Sequence, residues 1–485
     1  MILQKSALFR QECFIDGEWL SSPDLLEVID PSSQRLVGTV PSLGEMETRK
    51  AISAAHKAFP AWKTHTAKER SVLLKKWYEL IICHARDLAE IMSREQGKPL
   101  AEAQREVMSC AAYVEWFAEE AKRVYGDTIP MAQKGKRIVV LKEPIGVCAA
   151  ITPWNFPLST IARKAAPALA AGCTVIVKPS SYTPFSALAL AVLAEEAGFP
   201  PGTLNVITGQ AETIGRILTS DRLVKKISFT GSTEVGRILM KDSSESLKKI
   251  SLELGGHAPF IVFDDADIEL AVSEAMISKF RNSGQTCVCA NRFLIQNPIY
   301  EQFAEHFVRL VRNQLVVGPG MHMESNQGPL IDEKAVLKVE NQIRDALEKG
   351  AKLAIGGKRL PGKGFFFEPT VLTEVTSEMA IAHEETFGPV APLFRFKDEE
   401  EALRIANDSE YGLAAYFFSK DLARAWRMTE NLECGMIGVN TGILSSEAAP
   451  FGGTKDSGMG REGSKYGIEE YLELKYMCIG GLERM

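Results

Sequence analysis

Between residues 145 and 253 short β-branched, apolar runs alternate with amphipathic stretches. The runs fall at 145–151, 174–178, 204–207, 225–230 and 249–253, and the amphipathic stretches at 159–171, 184–197, 211–219 and 233–242. Strand, helix, strand at this spacing predicts right-handed crossovers and a parallel sheet. Ligands of such sheets bind at the carboxyl ends of the strands. From about 45 to 125 the period is helical, as in Glu47 to Phe59 and Ala67 to Glu95, with a break at Gly97-Lys98-Pro99. Residues 134–143 alternate basic and β-branched types, which predicts a strand outside the main core. A second mixed α/β region runs from about 255 to 450, with Gly-rich turns at Gly356-Gly357 and Gly362-Lys363-Gly364. The tail run Tyr471–Tyr476 is apolar enough to need a partner strand. There is no internal repeat and no low-complexity segment.

The 485 residues suffice for two or three domains. A net charge of −6 argues against a nucleic-acid or anionic-membrane surface, since either partner favours a basic patch. No segment approaches the apolar length of a membrane span. The N-terminal run Met1–Arg10 lacks the apolar core of a signal peptide, and Glu12 and Asp16 follow too early for an organelle presequence. Nine cysteines without framework spacing suit a reducing compartment, so a cytoplasmic location is expected. With no Cys-x-x-Cys pair and no His-Glu-x-x-His, no protein-bound metal is expected.

One Gly-x-Gly-x-x-Gly occurs, at Gly458–Gly463, but it follows a glycine loop and no strand. A phosphate cradle needs strand, tight turn and helix N-terminus, so this segment reads as a loop. Lys226–Gly236 is the better candidate: a strand ends at Gly231 and Ser232 opens the next helix. Its open amides and hydroxyl could hold a pyrophosphate oxygen or form an ordinary N-cap. Thr174–Ser181 ends another strand of the same sheet with Lys178, a ribose contact or a surface lysine. A carboxylate at position 181 would bond the ribose diol and repel a 2′-phosphate, by several kcal/mol if poorly screened. Ser181 carries no such penalty and Lys178 adds positive charge, which predicts NADP as the cofactor, with NAD as the alternative.

Cys287 lies in the polar turn Phe280-Arg281-Asn282-Ser283-Gly284-Gln285-Thr286-Cys287-Val288-Cys289. A packing cysteine normally sits among hydrophobes. These neighbours leave amides free and let substrate approach, surroundings in which a thiol can be drawn toward thiolate, although on this segment alone an inert core cysteine is the preferred reading. Three further loops carry what such a nucleophile needs. Thr152–Pro157 presents Asn155, an uncharged oxyanion donor. Ser251–Gly256 places Glu253 between leucines, where desolvation raises a carboxyl toward general-base range. Glu384–Pro389 offers Glu385 and Phe387 for a ribose and a ring. Taken singly, each has a structural reading too: a turn amide, a capped strand end, a solvated pair.

Together the segments Pro153–Pro157, Lys178–Pro179, Phe229–Gly236, Glu253–Gly256, Phe280–Cys287, Glu384–Pro389 and Pro450–Gly453 resemble the aldehyde dehydrogenases over essentially the whole chain. Phe280–Arg292, Asn440-Thr441-Gly442-Ile443 and Gly460–Tyr476 resemble the family's NADP-linked succinate-semialdehyde branch. The resemblance implies an α/β fold with a Rossmann-like parallel-sheet cofactor domain (1–125 and 145–253) and a second α/β catalytic domain (254–450). It also implies small β oligomerisation and bridging elements (126–144 and 451–485), and hence a homo-oligomer, dimer or tetramer. It makes Cys287 the nucleophile, Asn155 and the Cys287 amide the oxyanion donors, and Glu253 the base that activates water against a thioester. Trp154, Lys178, Ser181, Gly231, Ser232, Glu385 and Phe387 become cofactor contacts. One departure is His257, where the branch usually has Asn; it either only repacks or, as a titrating imidazole near Glu253, alters the pH profile.

Arg163 and Arg281 read alone as helix-surface arginines. The resemblance matches them, with Ser445, to residues that bind a substrate's distal carboxylate. Two guanidinium groups would favour a short acid semialdehyde, succinate semialdehyde first and glutarate semialdehyde second. Cys289 is either a spectator or the partner of a reversible, strained bond to Cys287. A Coenzyme A-acylating enzyme would lack the hydrolytic base that Glu253 supplies, and a non-catalytic descendant would be expected to lose Cys287, Asn155 or Glu253.

Overall fold

The computed structural model describes residues 3–482. Met1 and Ile2, at the start of the N-terminal segment discussed above, and the last three residues of the tail lie outside the described residues. Five parallel strands form the centre of the first sheet, in the order Leu204–Val206, Thr174–Lys178, Val147–Ile151, Val224–Thr230, Lys249–Glu253. Each lies within a residue or two of its predicted run. The strand Thr174–Lys178 is buried at every position, as a strand covered by helices on both faces should be. Short antiparallel strands close both edges: Cys13–Ile15 and Glu18–Leu20 on one side, Gly458–Met459 on the other. Strand order reverses between Val147–Ile151 and Val224–Thr230, and the loops after those two strands therefore flank a crevice.

The second sheet has seven strands, in the order Lys352–Ile355, Thr370–Val375, Val390–Phe396, Ala290–Gln296, Ala258–Val262, Ala414–Phe418, Met436–Val439. Only its edge strand Lys352–Ile355 is antiparallel. The expected excursion strand is Arg137–Pro144, and the tail strand Leu472–Ile479 is its antiparallel partner. Asp127–Ile129 completes this third sheet.

Two readings change. The helical pattern from Ala67 to Glu95 is two helices, Ala67–Cys83 and Ala85–Gln96, separated at His84. The glycine motif at 458–463 begins as a strand antiparallel to Leu252–Glu253, which seats the following residues against the active-site end of the first sheet.

Candidate active site

The loop after Val147–Ile151 carries Asn155 at the crevice, 5% exposed. Its Nδ2 donates to the Gln285 carbonyl at 3.0 Å and its Oδ1 accepts from the Phe156 amide at 3.1 Å. The amide plane is thereby fixed with one hydrogen still to give. After the neighbouring strand, Ser232 caps the helix Thr233–Ser244, its hydroxyl accepting from the Val235 amide. The ordinary N-cap and the open amides of that helix start are both present. Lys178 is buried with no countercharge beside it, and desolvation pulls its ammonium down to about 8. Ser181 is partly exposed in the loop that follows. A cradle at Gly231-Ser232 and a buried, unpartnered ammonium on the far side of the strand Val147–Ile151 fit a phosphorylated dinucleotide.

Cys287 comes from the other sheet. The helix Ile268–Phe280 ends, and Asn282, Ser283 and Gly284 take left-handed conformations (φ 50°, 57° and 75°) before the chain reaches the cysteine. A β-carbon on Gly284 would stand 2.1 Å from the Gly388 carbonyl oxygen, so this loop lies directly on the Glu384–Pro389 loop. The polar sequence around Cys287 suggested a thiol drawn toward thiolate. In the structure burial dominates, and pushes the thiol up to about 12 against the opposing pull of Arg163. The polar neighbours spend their groups elsewhere: Gln285 donates to the Asn282 and Pro329 carbonyls and accepts from the Ile331 amide, and Ser283 donates to the Gly328 carbonyl.

Glu253 ends the last parallel strand, 3% exposed, with both carboxylate oxygens unpartnered. Burial, and then the nearby Glu462 carboxylate, raise its pKa well above the ordinary carboxylate range. Gly256 allows the close approach that follows: a β-carbon there would stand 2.3 Å from the Cys287 carbonyl oxygen. Its amide donates to Glu385 Oε1 at 3.0 Å. Burial lifts the Glu385 carboxyl to about 7, while Glu384 is exposed and Glu385 only partly so. Phe387, at φ 52°, meets Trp154 edge-on with ring centroids 5.6 Å apart. Trp154, Glu385 and Phe387 thus converge on the crevice.

Of the two readings of His257, repacking fits the structure and titration beside Glu253 does not. His257 is 2% exposed, its Nε2 is 2.9 Å from the Ala382 carbonyl oxygen, and burial, with Arg292 beside it, depresses its pKa well below the usual imidazole range. It stays neutral and packs.

Arg163 lies over the rings of Tyr113 (4.8 Å) and Phe451 (4.4 Å), its Nε without a partner. Arg281 lies 5.5 Å over Phe156, with no protein carboxylate within ion-pair distance among the described residues. Both cations are thus held by aromatic rings and keep hydrogen-bond donors unspent. Ser445 is partly exposed in the loop whose Ser446 carbonyl accepts from Tyr113 Oη. Cys289 has no exposure, and its thiol donates to the Lys279 and Ala290 carbonyls.

The sequence reading passed over four charged residues. Lys164 is fully buried and pairs with Glu462, itself 4.0 Å from Arg163. Lys98 and Glu106 form a buried pair behind the Asn155 loop. A signal existed for Lys164: a charged residue in the run Ile161-Ala162-Arg163-Lys164-Ala165-Ala166 must find a partner if the helix is buried. No group of three metal-ligating side chains occurs among the described residues.

The aldehyde dehydrogenase family profile matches residues 19–477. The chain is 58% identical to the succinate-semialdehyde dehydrogenase [NADP(+)] GabD of Escherichia coli, covering 99% of this chain and 100% of the relative. It is 57% identical to a glutarate-semialdehyde dehydrogenase of Pseudomonas putida over the same shares. The crystal structure of an E. coli NADP-dependent enzyme superposes with a TM-score of 0.98 at 57% identity, covering 99% of this chain and 100% of that one. The arrangement of Cys287, Asn155 and Glu253 at the mouth of a parallel sheet is thus set in a chain that belongs to the aldehyde dehydrogenase family.

Proposed function

We propose that this chain oxidises a short acid semialdehyde, succinate semialdehyde first and glutarate semialdehyde second, to the corresponding acid with NADP. The observation that carries the substrate class is the pair Arg163 and Arg281, each resting on aromatic rings, with Arg163 Nε unpartnered and Arg281 without an ion pair among the described residues. A distal carboxylate, with Ser445 alongside, completes them. The relatives named above act on semialdehydes of this type, which supports the reading.

Cys287 Sγ attacks the aldehyde carbon. Because burial holds the thiol protonated, its proton must leave as the C–S bond forms, and it passes to solvent at the partly exposed thiol, so that Glu253 stays free for the later step. The developing oxyanion takes the second amide hydrogen of Asn155 and the Cys287 amide, a donor set in which one member contributes about 10²–10³ in rate. Lys178, Ser181, Gly231 and Ser232 hold the adenosine ribose and phosphates, and Glu385, Phe387 and Trp154 the other end. Bound there, the oxidised nicotinamide supplies a hydride acceptor. What stays on Cys287 is a thioester. Glu253 then takes a proton from the water that attacks it, and the acid leaves as the thiol is restored.

His257, neutral and packed, takes no proton. Cys289 is a spectator. The assembly is a dimer or tetramer in the cytoplasm, supported by the tail strand, whose Leu474 and Tyr476 are 68% and 63% exposed on the single chain.

The test is an initial-rate panel of succinate semialdehyde, glutarate semialdehyde and butanal, with each cofactor and with or without Coenzyme A. The reading requires the two semialdehydes to exceed butanal, NADP to exceed NAD, and a free acid as product. Formation of an acyl-Coenzyme A, or equal rates with butanal, contradicts it.

A further inference from the structure

Lys98 sits in the turn between the helices Ala85–Gln96 and Leu100–Glu120, far in sequence from every residue assigned above, and is 2% exposed. Its ammonium makes three contacts. It donates to the main-chain carbonyl of Asn155 at 2.7 Å, to Glu106 Oε2 at 2.5 Å, and lies 4.3 Å over the ring of Phe156. The other oxygen of Glu106 accepts from the amides of Leu158 (2.9 Å) and Ser159 (3.2 Å), at the start of a helix with no side-chain cap of its own. One buried ion pair thus grips the oxyanion loop from both ends, at Asn155-Phe156 and at Leu158-Ser159.

The same corner also holds the nucleophile's loop. Glu102 accepts from the Asn282 amide at 2.9 Å, and Gln96 donates to Asn282 Oδ1 at 3.1 Å. Asn282 Nδ2 in turn donates to the Asn155 carbonyl at 3.1 Å, beside Lys98. Asn155 and Cys287 come from different sheets, so their spacing depends on what spans the gap. Among the residues that span it, Lys98 carries the charge that meets the Asn155 peptide directly. Removing one partner of a buried pair leaves an uncompensated charge, so the link is stiff.

We propose that Lys98, with Glu106 as its counterion, is a positioning residue for catalysis: it fixes the Asn155 peptide so that the side-chain amide meets the oxyanion formed on Cys287. Lys98 touches neither substrate nor cofactor in this role. The inference rests on the reading of Asn155 as oxyanion donor, and makes no use of the acid-semialdehyde assignment. Phe156, flanked by Lys98 on one contact and Arg281 on another, moves with the same peptide.

The test is a kinetic double-mutant cycle of Lys98→Met and Asn155→Ala, read on a neutral aldehyde with saturating cofactor. Displacing a donor by a fraction of an ångström to 1 Å lowers kcat by about 10- to 100-fold. Lys98→Met should do so while the cofactor dissociation constant stays within about twofold. In the Asn155→Ala background the same substitution should lower kcat by less than about threefold, because the donor it positions is gone. A merely structural lysine would give equal factors in both backgrounds, and that result overturns the proposal. So does a kcat for Lys98→Met within about threefold of the parent. Should Lys98→Met fail to fold by circular dichroism, Glu106→Gln keeps an acceptor for the Leu158 and Ser159 amides while removing the counterion. It must show the same non-additivity, and equal factors again overturn the proposal. If Asn155→Ala alone leaves kcat unchanged, the oxyanion reading falls first and takes the inference with it.

Discussion

Replacing Arg281 by alanine removes one arm of the carboxylate clamp and leaves the chemistry of Cys287 untouched. Its guanidinium has no competing protein carboxylate and is only partly exposed, so a substrate carboxylate gains the net value of a hydrogen bond between charged groups, about 1.5–3 kcal/mol. Partial solvent access favours the lower half of that range. About 2 kcal/mol corresponds to about a 30-fold loss in kcat/KM for succinate semialdehyde. The stacking on Phe156 is lost for every substrate alike, and contributes about 0.5–1 kcal/mol at a site with this exposure. Butanal should therefore lose no more than about fivefold. The assay is kcat/KM for both aldehydes on the parent and Arg281→Ala, with the loss expected mainly in KM for the acid. Equal losses for the two aldehydes would refute the clamp, because only the acid carries the group that Arg281 is said to hold.

Four further outcomes are expected. Lys178 is pulled down to about 8 by burial, so its charge is present below that pH and lost above it; the preference for NADP over NAD, measured as a ratio of dissociation constants, should shrink from about pH 7 to about pH 9, and Lys178→Met should flatten it. Gly284→Ala combines a positive φ with a β-carbon 2.1 Å from the Gly388 oxygen, and should cost about 2–4 kcal/mol in thermal unfolding and most of the activity. Gly350→Ala, at φ 101° but with nothing within 4 Å, isolates the backbone strain and should cost only about 1 kcal/mol. Because Cys289 is fully buried with its thiol turned to main-chain carbonyls, Cys289→Ala should leave the rate of peroxide inactivation unchanged.

The parallel strands were legible because Val147–Ile151 and most of Thr174–Lys178 are apolar on both faces and bounded by loop-forming residues. The tail strand was legible for the complementary reason: an apolar run with no helical period needs an edge, and Arg137–Pro144 supplies it. The helix break at His84 was not, since neither glycine nor proline marks it and the apolar period continues across it.

At the site, side chains quoted from loops at strand ends do gather at one crevice, because a sheet's topology brings its carboxyl ends together. Their protonation was harder to read. Polar neighbours around Cys287 suggested an acidic thiol, yet those groups are spent on main-chain atoms, many of them in the 328–331 segment, and burial raises the pKa. His257 looked titratable by residue type, but its pKa is set by Arg292 and by desolvation from elements distant in sequence. Lys98 and Lys164 carry no signal of their particular partners in the local sequence because those carboxylates lie on other turns, loops or helices. Pairing across the fold is the information that local pattern does not carry.

The central claim is that Cys287 forms a thioester which Glu253 hydrolyses. Glu253 has both oxygens free and no other duty in the fold, so Glu253→Gln keeps the shape and removes the base. Mixed rapidly with succinate semialdehyde and NADP, this variant should release about one equivalent of NADPH per site in a burst, then turn over about 10²- to 10⁴-fold more slowly than the parent, with the acyl group found on Cys287 by mass spectrometry. A variant that turns over at the parental rate, or one that loses the burst together with the steady state and carries no acyl group, would contradict the account.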